Sequence, residues 1–195
     1  MLLIVLATIV LRVATASSAE GVQVPMLTMC PESQNVQVTN LNATSEPGSN
    51  MLNLSFHMDV ATSLQKNVTL TVAIMAEGMT SMIPCIEDVG SCEYMLCGGN
   101  TTMEMEITKS WNNTCPIPAK VYHVNMTLDL TKNPHLTSGS AIKVFNYTFE
   151  DSGKVVGCAS FEVNVPPGPG SAASYHAAFH MSWILVFSLL ILKCW

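Results

Sequence analysis

Seven cysteines, five histidines and one adjacent pair of carboxylates are the residues with chemistry to offer. Six thiols (Cys30, Cys85, Cys92, Cys97, Cys115 and Cys158) lie in the body of the chain, and Cys194 lies in an apolar tail. An even set of thiols in a small secreted domain forms disulfides rather than reactive centres. Six cysteines allow fifteen pairings, which spacing alone leaves open. Glu87-Asp88 has the composition of an acid–base pair, yet it sits in the short segment between Cys85 and Cys92 and reads as a turn. His57 and His123 fall on outward strand positions and His135 in a loop beside Pro134. All three read as solvated side chains, with pH sensing the alternative. No zinc-type His spacing, nucleophile-elbow glycine pattern or phosphate loop is present, so neither catalysis nor a metal or cofactor is expected.

Both chain ends read as processing signals. Residues 2–11 are almost wholly apolar and lead to Ala14, Ala16, Ser17, Ser18 and Ala19, the pattern of a signal peptide cut after Ala16 or Ala19. That run is too short to span a bilayer. At the other end, Pro166-Pro167-Gly168-Pro169-Gly170 is a stiff spacer, followed by small residues and an apolar run over 183–192. This is the signal for a glycosylphosphatidylinositol (GPI) anchor, attached at Gly170, Ser171 or Ala172. The competing transmembrane helix needs about 20 apolar residues, and backward extension meets His180. The expected organisation is a signal peptide (1–19), one domain (20–165), a linker with the attachment region (166–171) and a removable anchor signal (172–195). The protein is expected in the secretory pathway, then on the outer face of the plasma membrane by its anchor, or secreted or lysosomal.

Loss of Arg12 and Lys193 with the ends leaves six basic residues against fourteen acidic ones, a net charge of about −8. Such a surface excludes nucleic acid as a partner, because phosphate binding needs a basic face. Only 11% of residues are charged, and sugar is expected to supply the missing solubility. Seven sequons are present, at Asn42, Asn53, Asn67, Asn100, Asn112, Asn125 and Asn146.

The elements that must position these residues are strands. Short runs of Val, Ile, Leu, Thr, Phe and Met alternate with polar residues, and no segment sustains a helical period. An acceptor Asn faces solvent, which fixes the phase. Leu54, Phe56 and Met58 then point inward, as do Val68, Leu70, Val72 and Ile74, and Val124, Met126, Leu128 and Leu130. Met103, Met105 and Ile107 alternate with Glu104 and Glu106, which predicts another strand. In residues 142–149 the sequon puts Phe145, Tyr147 and Phe149 inside while Ile142 and Val144 share parity with Asn146, so a bulge is expected near Val144 and Phe145. Residues 150–154 read as a hairpin turn into a last strand over 155–165. Strands with one apolar face must bury it on a second sheet. The expected fold is all-β, an immunoglobulin-like antiparallel β-sandwich of roughly seven to nine strands with sheets about 10 Å apart.

Ile83-Pro84-Cys85, Asp88, Gly90-Ser91-Cys92, Cys97, Cys115-Pro116, Tyr122, Ser152-Gly153-Lys154 and Gly157-Cys158 resemble the MD-2-related lipid-recognition (ML) domain family, most of all its ganglioside-activator branch. The resemblance covers roughly residues 50–165, and residues 20–49 mainly through Cys30. It implies an ML-type β-cup, a sandwich whose sheets splay around an apolar cavity for lipid tails. It also implies the pairs Cys30–Cys158, Cys85–Cys92 and Cys97–Cys115. This chain lacks the further disulfide that the ganglioside-activator branch carries in the loop corresponding to Cys97–Cys115.

The function implied is non-enzymatic lipid binding, with transfer or presentation of the bound lipid as its outcome. Lining residues would be Leu54, Phe56, Met58, Leu70, Val72, Ile74, Met126, Leu128, Phe145 and Tyr147, with Trp111 docking on lipid near the mouth. Trp111 as a partly buried loop residue is the alternative. Eleven of the thirteen methionines lie within residues 20–165, and their unbranched side chains suit an adaptable apolar surface. Met58, Met75, Met103, Met105 and Met126 either line the cup or fill a core. Expected partners are lipids (glycolipid, phospholipid or sterol), a membrane surface, and a lipid-processing enzyme or receptor. The rival class is a GPI-anchored adhesion or receptor ectodomain with a filled core.

Overall fold

Alternation of period two builds two facing antiparallel sheets. The structure, a computed structural model, describes residues 21–31, 35–46 and 49–166. The expected signal peptide (1–19), the expected anchor residues Gly170, Ser171 and Ala172, the apolar run over 183–192 and Cys194 lie outside the described residues. The strands are β1 (Gly21–Gln23), β2 (Thr28–Met29), β3 (Val36–Ser45), β4 (Met51–Val60), β5 (Val68–Ala76), β6 (Glu93–Met95), β7 (Val121–Asp129), β8 (Ile142–Asp151) and β9 (Lys154–Asn164). One sheet runs β1-β3-β4-β7 and the other β2-β9-β8-β5-β6. No helix among the described residues is long and apolar enough to cross a membrane.

The inward residues expected on β4, β5 and β7 are all buried, and they form one cluster with those of β3, β8 and β9. The N-terminal segment crosses from one sheet to the other: β1 pairs with β3, and β2 with β9. Paired hydrogen bonds between the Gln23 side chain and the Asn164 backbone hold it at the second sheet's edge.

The bulge expected in β8 is absent, and register shifts occur elsewhere. In β8 no bulge occurs at Val144 and Phe145; pairing with β5 and β9 runs unbroken there. Ile142 and Val144 lie half-buried on the outer face, and Lys143 takes the inward position beside Phe145. Register shifts instead at Phe149/Glu150, where β9 carries an extra residue, and in β3 between Thr39 and Asn42. The β3 bulge, with Asn40 at φ 51°, moves the inward parity from Val36 and Val38 to Leu41 and Ala43. The β8–β9 turn is as expected, with Ser152 and Gly153 both at positive φ. Asp151 accepts the Gln65 and Lys66 N–H groups; burial raises its pKa, but these bonds and the Ser152 hydroxyl outweigh it and hold the carboxyl below its usual value.

The strand expected at Met103, Met105 and Ile107 is a helix, α1 (Thr102–Ile107), continued by the 3₁₀ turn η1 (Thr108–Trp111). Thr101 and Glu104 form a capping box, and satisfying the first-turn N–H groups overrides the apolar alternation. The helix packs on edge strands β6 and β7, which closes that side of the sandwich. Met103 and Ile107 are buried there, while Met105 is exposed.

The pairs are Cys30–Cys158, Cys85–Cys92 and Cys97–Cys115, bridging 128, 7 and 18 residues. They agree with the pairing implied by the resemblance, and they are the bonds of a protein folding in an oxidising, secretory or extracellular setting.

Candidate lipid-binding site

The sequence-derived lining residues come together. Leu54, Phe56 and Met58 on β4, with Met126 and Leu128 on β7, face Leu70, Val72 and Ile74 on β5 and Phe145 and Tyr147 on β8. None is more than 2% exposed. Across the middle the sheets touch: the Phe56 and Tyr147 rings lie 5.6 Å apart, and the Tyr147 hydroxyl donates to Met126 Sδ at 3.4 Å. Phe161 fills the space behind, stacked on Phe145 and edge-on to Tyr147. The hollow that the β-cup implies is not seen along this row; large side chains of opposite sheets meet there. Burial, with the nearby Tyr94, pushes the Tyr147 hydroxyl far above its usual pKa, so it stays neutral.

Open space occurs at one end of the sandwich. A cavity of about 220 Å³ lies between the loop after β5 and the loop before β8, lined by Ala76, Met79, Ser81, Met82, Ile83, Pro84, His135, Ser138 and Gly139. Its floor is apolar, through Ala76 and Ile83, and Met79 and Met82 on its rim are 54% and 62% exposed. No sequon falls in residues 76–92 or 130–141, which form the lips.

Those lips are cross-braced. Glu87 and Asp88, both at positive φ, form the tight turn of the Cys85–Cys92 hairpin, as expected from sequence. Asn133 is fully buried; its amide donates to the Pro84 and Val89 carbonyls, both at 2.8 Å, and its oxygen accepts the His135 N–H. Gly90, at φ 120°, lets that amide in: a Cβ there would lie 2.1 Å from Pro84 O and 2.7 Å from Asn133 Nδ2. Replacing Asn133 with Ala is expected to cost about 2–3 kcal/mol in urea unfolding, because the buried Val89 carbonyl and the part-buried Pro84 carbonyl lose their donor. Asn133→Asp should cost at least as much, since a carboxylate would face those carbonyls. An Asp variant as stable as the parent would show that the brace contributes nothing.

Trp111 does not lie at the surface for docking. It is buried, its indole N–H donates to Leu96 O at 2.6 Å, and its ring meets Tyr122 edge-on at 5.2 Å. Met58, Met103 and Met126 are inside, whereas Met75 sits half-buried on the outer face and Met105 is exposed. Asn53, Asn67, Asn100, Asn112 and Asn125 are exposed, and Asn42 and Asn146 half-buried, so none of the seven acceptors is buried. Asn42, Ser55 and Asn125 share one cross-strand row, with Asn53 in the next, so one sheet face carries three acceptors. His57 and His123 stack edge-on across the same face, 5.6 Å apart.

Carboxylates gather in a second cavity of about 90 Å³, lined by Glu87, Asp88, Glu106, Asp129 and Lys132 among others. Among the described residues no group of three or more His, Cys, Asp or Glu is placed to hold a metal. Glu104, Asn133 and Lys143 escaped the sequence reading. Thr101-x-x-Glu104 was a legible cap signature, and the shared parity of Lys143 with Phe145 was a legible sign of burial. The chain matches no family model, and no curated protein matches it.

Proposed function

We propose that this chain is an extracellular, non-enzymatic lipid-binding domain of the ML type. It takes hydrocarbon tails between its sheets from the Met79/Met82 end and carries or presents the lipid. The observation that supports this is a sugar-free, Met-rimmed cavity continuous in character with the apolar inner faces. Its 220 Å³ is below the 300–1,000 Å³ typical of small-molecule sites, so a long chain must part the Phe56–Tyr147 contact. Each methylene removed from water contributes about 0.8 kcal/mol toward that opening. The unbranched side chains of Met58 and Met126 can shift to admit a tail. Glycans on the sequon faces and a GPI anchor at residues 170–172 would hold the domain at the outer membrane surface, where a lipid-processing enzyme or receptor could receive the cargo.

The Phe56–Tyr147–Met126 contact favours the second reading, a filled-core adhesion or receptor ectodomain. Native mass spectrometry of protein released from cells by phosphatidylinositol-specific phospholipase separates the two. The expected spectrum contains a population heavier by one lipid mass, which gentle organic extraction removes. A single lipid-free species that also takes up no added lipid would leave the adhesion module. Failure of the phospholipase to release the protein would remove the anchor and nothing else.

A further inference from the structure

Lys143 is an unusual residue to find inside this sandwich. It occupies an inward position of β8, in register with Ala76 of β5 and Val163 of β9, and its side chain is fully buried. Its Nζ donates to the carbonyl oxygens of Ser138 and Ser140, at 2.7 and 2.6 Å. Among the described residues no carboxylate pairs with it. Two carbonyl dipoles satisfy N–H donors but bring no negative charge, and burying an ammonium without a counter-charge is unfavourable. Burial accordingly pulls its pKa below the usual lysine value.

The position of this cation gives it meaning. Ala76, its neighbour across the ladder, lines the 220 Å³ cavity, and so does Ser138, one of its two acceptors. The ammonium therefore lies just behind the cavity wall, held by the loop that forms that wall. Residues 20–165, Lys143 included, carry a net charge of about −8, which repels anions unless a specific cation admits them.

We propose that Lys143 anchors the anionic group of an acidic amphiphile, a carboxylate or a phosphate monoester, seated in this cavity with its hydrocarbon tail directed between the sheets. The proposal rests on the lipid-binding reading above and adds the ligand's charge to it. An arriving oxyanion takes the place of one carbonyl at Nζ, so an ion pair replaces an ion–dipole contact and supplies the negative charge that the carbonyls lack.

The test uses the secreted, glycosylated and delipidated protein, with displacement of a fluorescent fatty probe as the readout. Oleate, oleoyl lysophosphatidate and methyl oleate share a tail and differ in charge. The parent protein is expected to bind at least one of the two acids about tenfold more tightly than the neutral ester, and which acid gains identifies carboxylate or phosphate as the source. Lys143→Met should reduce that acid to the level of methyl oleate without weakening the ester, and Lys143→Arg should keep the preference. Equal binding of all three ligands by the parent would overturn the anchor and leave lipid carriage standing, as would a preference that survives in Lys143→Met. Binding of none would overturn carriage and the anchor together. If Lys143→Met fails to fold, equal binding of the three ligands by the parent still overturns the anchor, and Lys143→Arg still has to keep any preference.

Discussion

Replacing Cys30 and Cys158 together with alanine is expected to lower the folding free energy by about 5 kcal/mol, more than any other disulfide deletion in this chain. The pair closes a loop of 128 residues, against 18 for Cys97–Cys115 and 7 for Cys85–Cys92. In the loop-entropy account those shorter loops contribute about 3 and 2 kcal/mol. A domain of this size is stable by only about 5–15 kcal/mol, so the first deletion places it near its unfolding threshold. Local structure adds to the effect. The β2 ladder on β9 is two residues long, and apart from the bond the segment is held by the three-residue β1 ladder on β3, by Gln23 on Asn164, and by Leu27 and Met29 against the core. Val22, Val24 and Met26 on this segment are 66%, 77% and 87% exposed, so burial holds it only through the partly buried Leu27 and Met29. Once it leaves, β9 becomes an unpaired edge and the protein should aggregate on warming. Urea midpoints of the three double-alanine variants provide the check. A Cys85/Cys92 variant as damaged as the Cys30/Cys158 variant would show that native contacts, not chain closure, set the ranking.

What could be read from sequence follows from where a single physical constraint dominates. On β4, β5 and β7 one face is sequon-bearing or polar and the other apolar, and a one-residue slip would invert both, so parity settles which side chains are inside. On β8 the shared parity of Ile142, Val144 and the Asn146 sequon suggests a bulge, but the ladder runs unbroken there: Lys143 takes the inward position in phase with Phe145 and Tyr147, and two loop carbonyls receive it. At α1 the alternation of Met103, Met105 and Ile107 suggested a strand, but a local cap outcompeted it. Tryptophan's preference for membrane interfaces suggests a docking role for Trp111 near the mouth, but its indole N–H instead finds the Leu96 carbonyl. The site shows the deeper limit. Parity names the residues that line an interior, but whether space remains between them depends on how two sheets approach, and the 5.6 Å Phe56–Tyr147 contact is set by both.

Glu104 is the side chain whose loss should cost most after that of the long disulfide. Its carboxylate, 6% exposed, accepts three backbone N–H groups: Met95 at 2.8 Å through Oε1, and Asn100 and Thr101 at 2.8 and 2.9 Å through Oε2. One side chain thus caps α1, pins edge strand β6 and orders the turn between them. Gly99 makes room for it, since a Cβ there would lie 2.7 Å from the carboxylate. Glu104→Ala strands three donors and is expected to cost about 3–5 kcal/mol; Glu104→Gln keeps the shape but turns an NH₂ toward donors, at about 2 kcal/mol. Burial alone would raise this carboxyl's pKa, but the bonds from Thr101, Met95 and Asn100 outweigh it and hold the value below the usual glutamate range. A depressed folded pKa means the stabilisation is complete above the unfolded value of about 4.3 and is lost as pH falls through the folded one. The gap in stability between parent and Glu104→Gln should therefore be widest at neutral pH and shrink under acid. Urea unfolding at pH 7 and pH 3 reads this directly. An undiminished gap at pH 3 would mean that shape, and not the ionised carboxylate, holds α1 and β6 together.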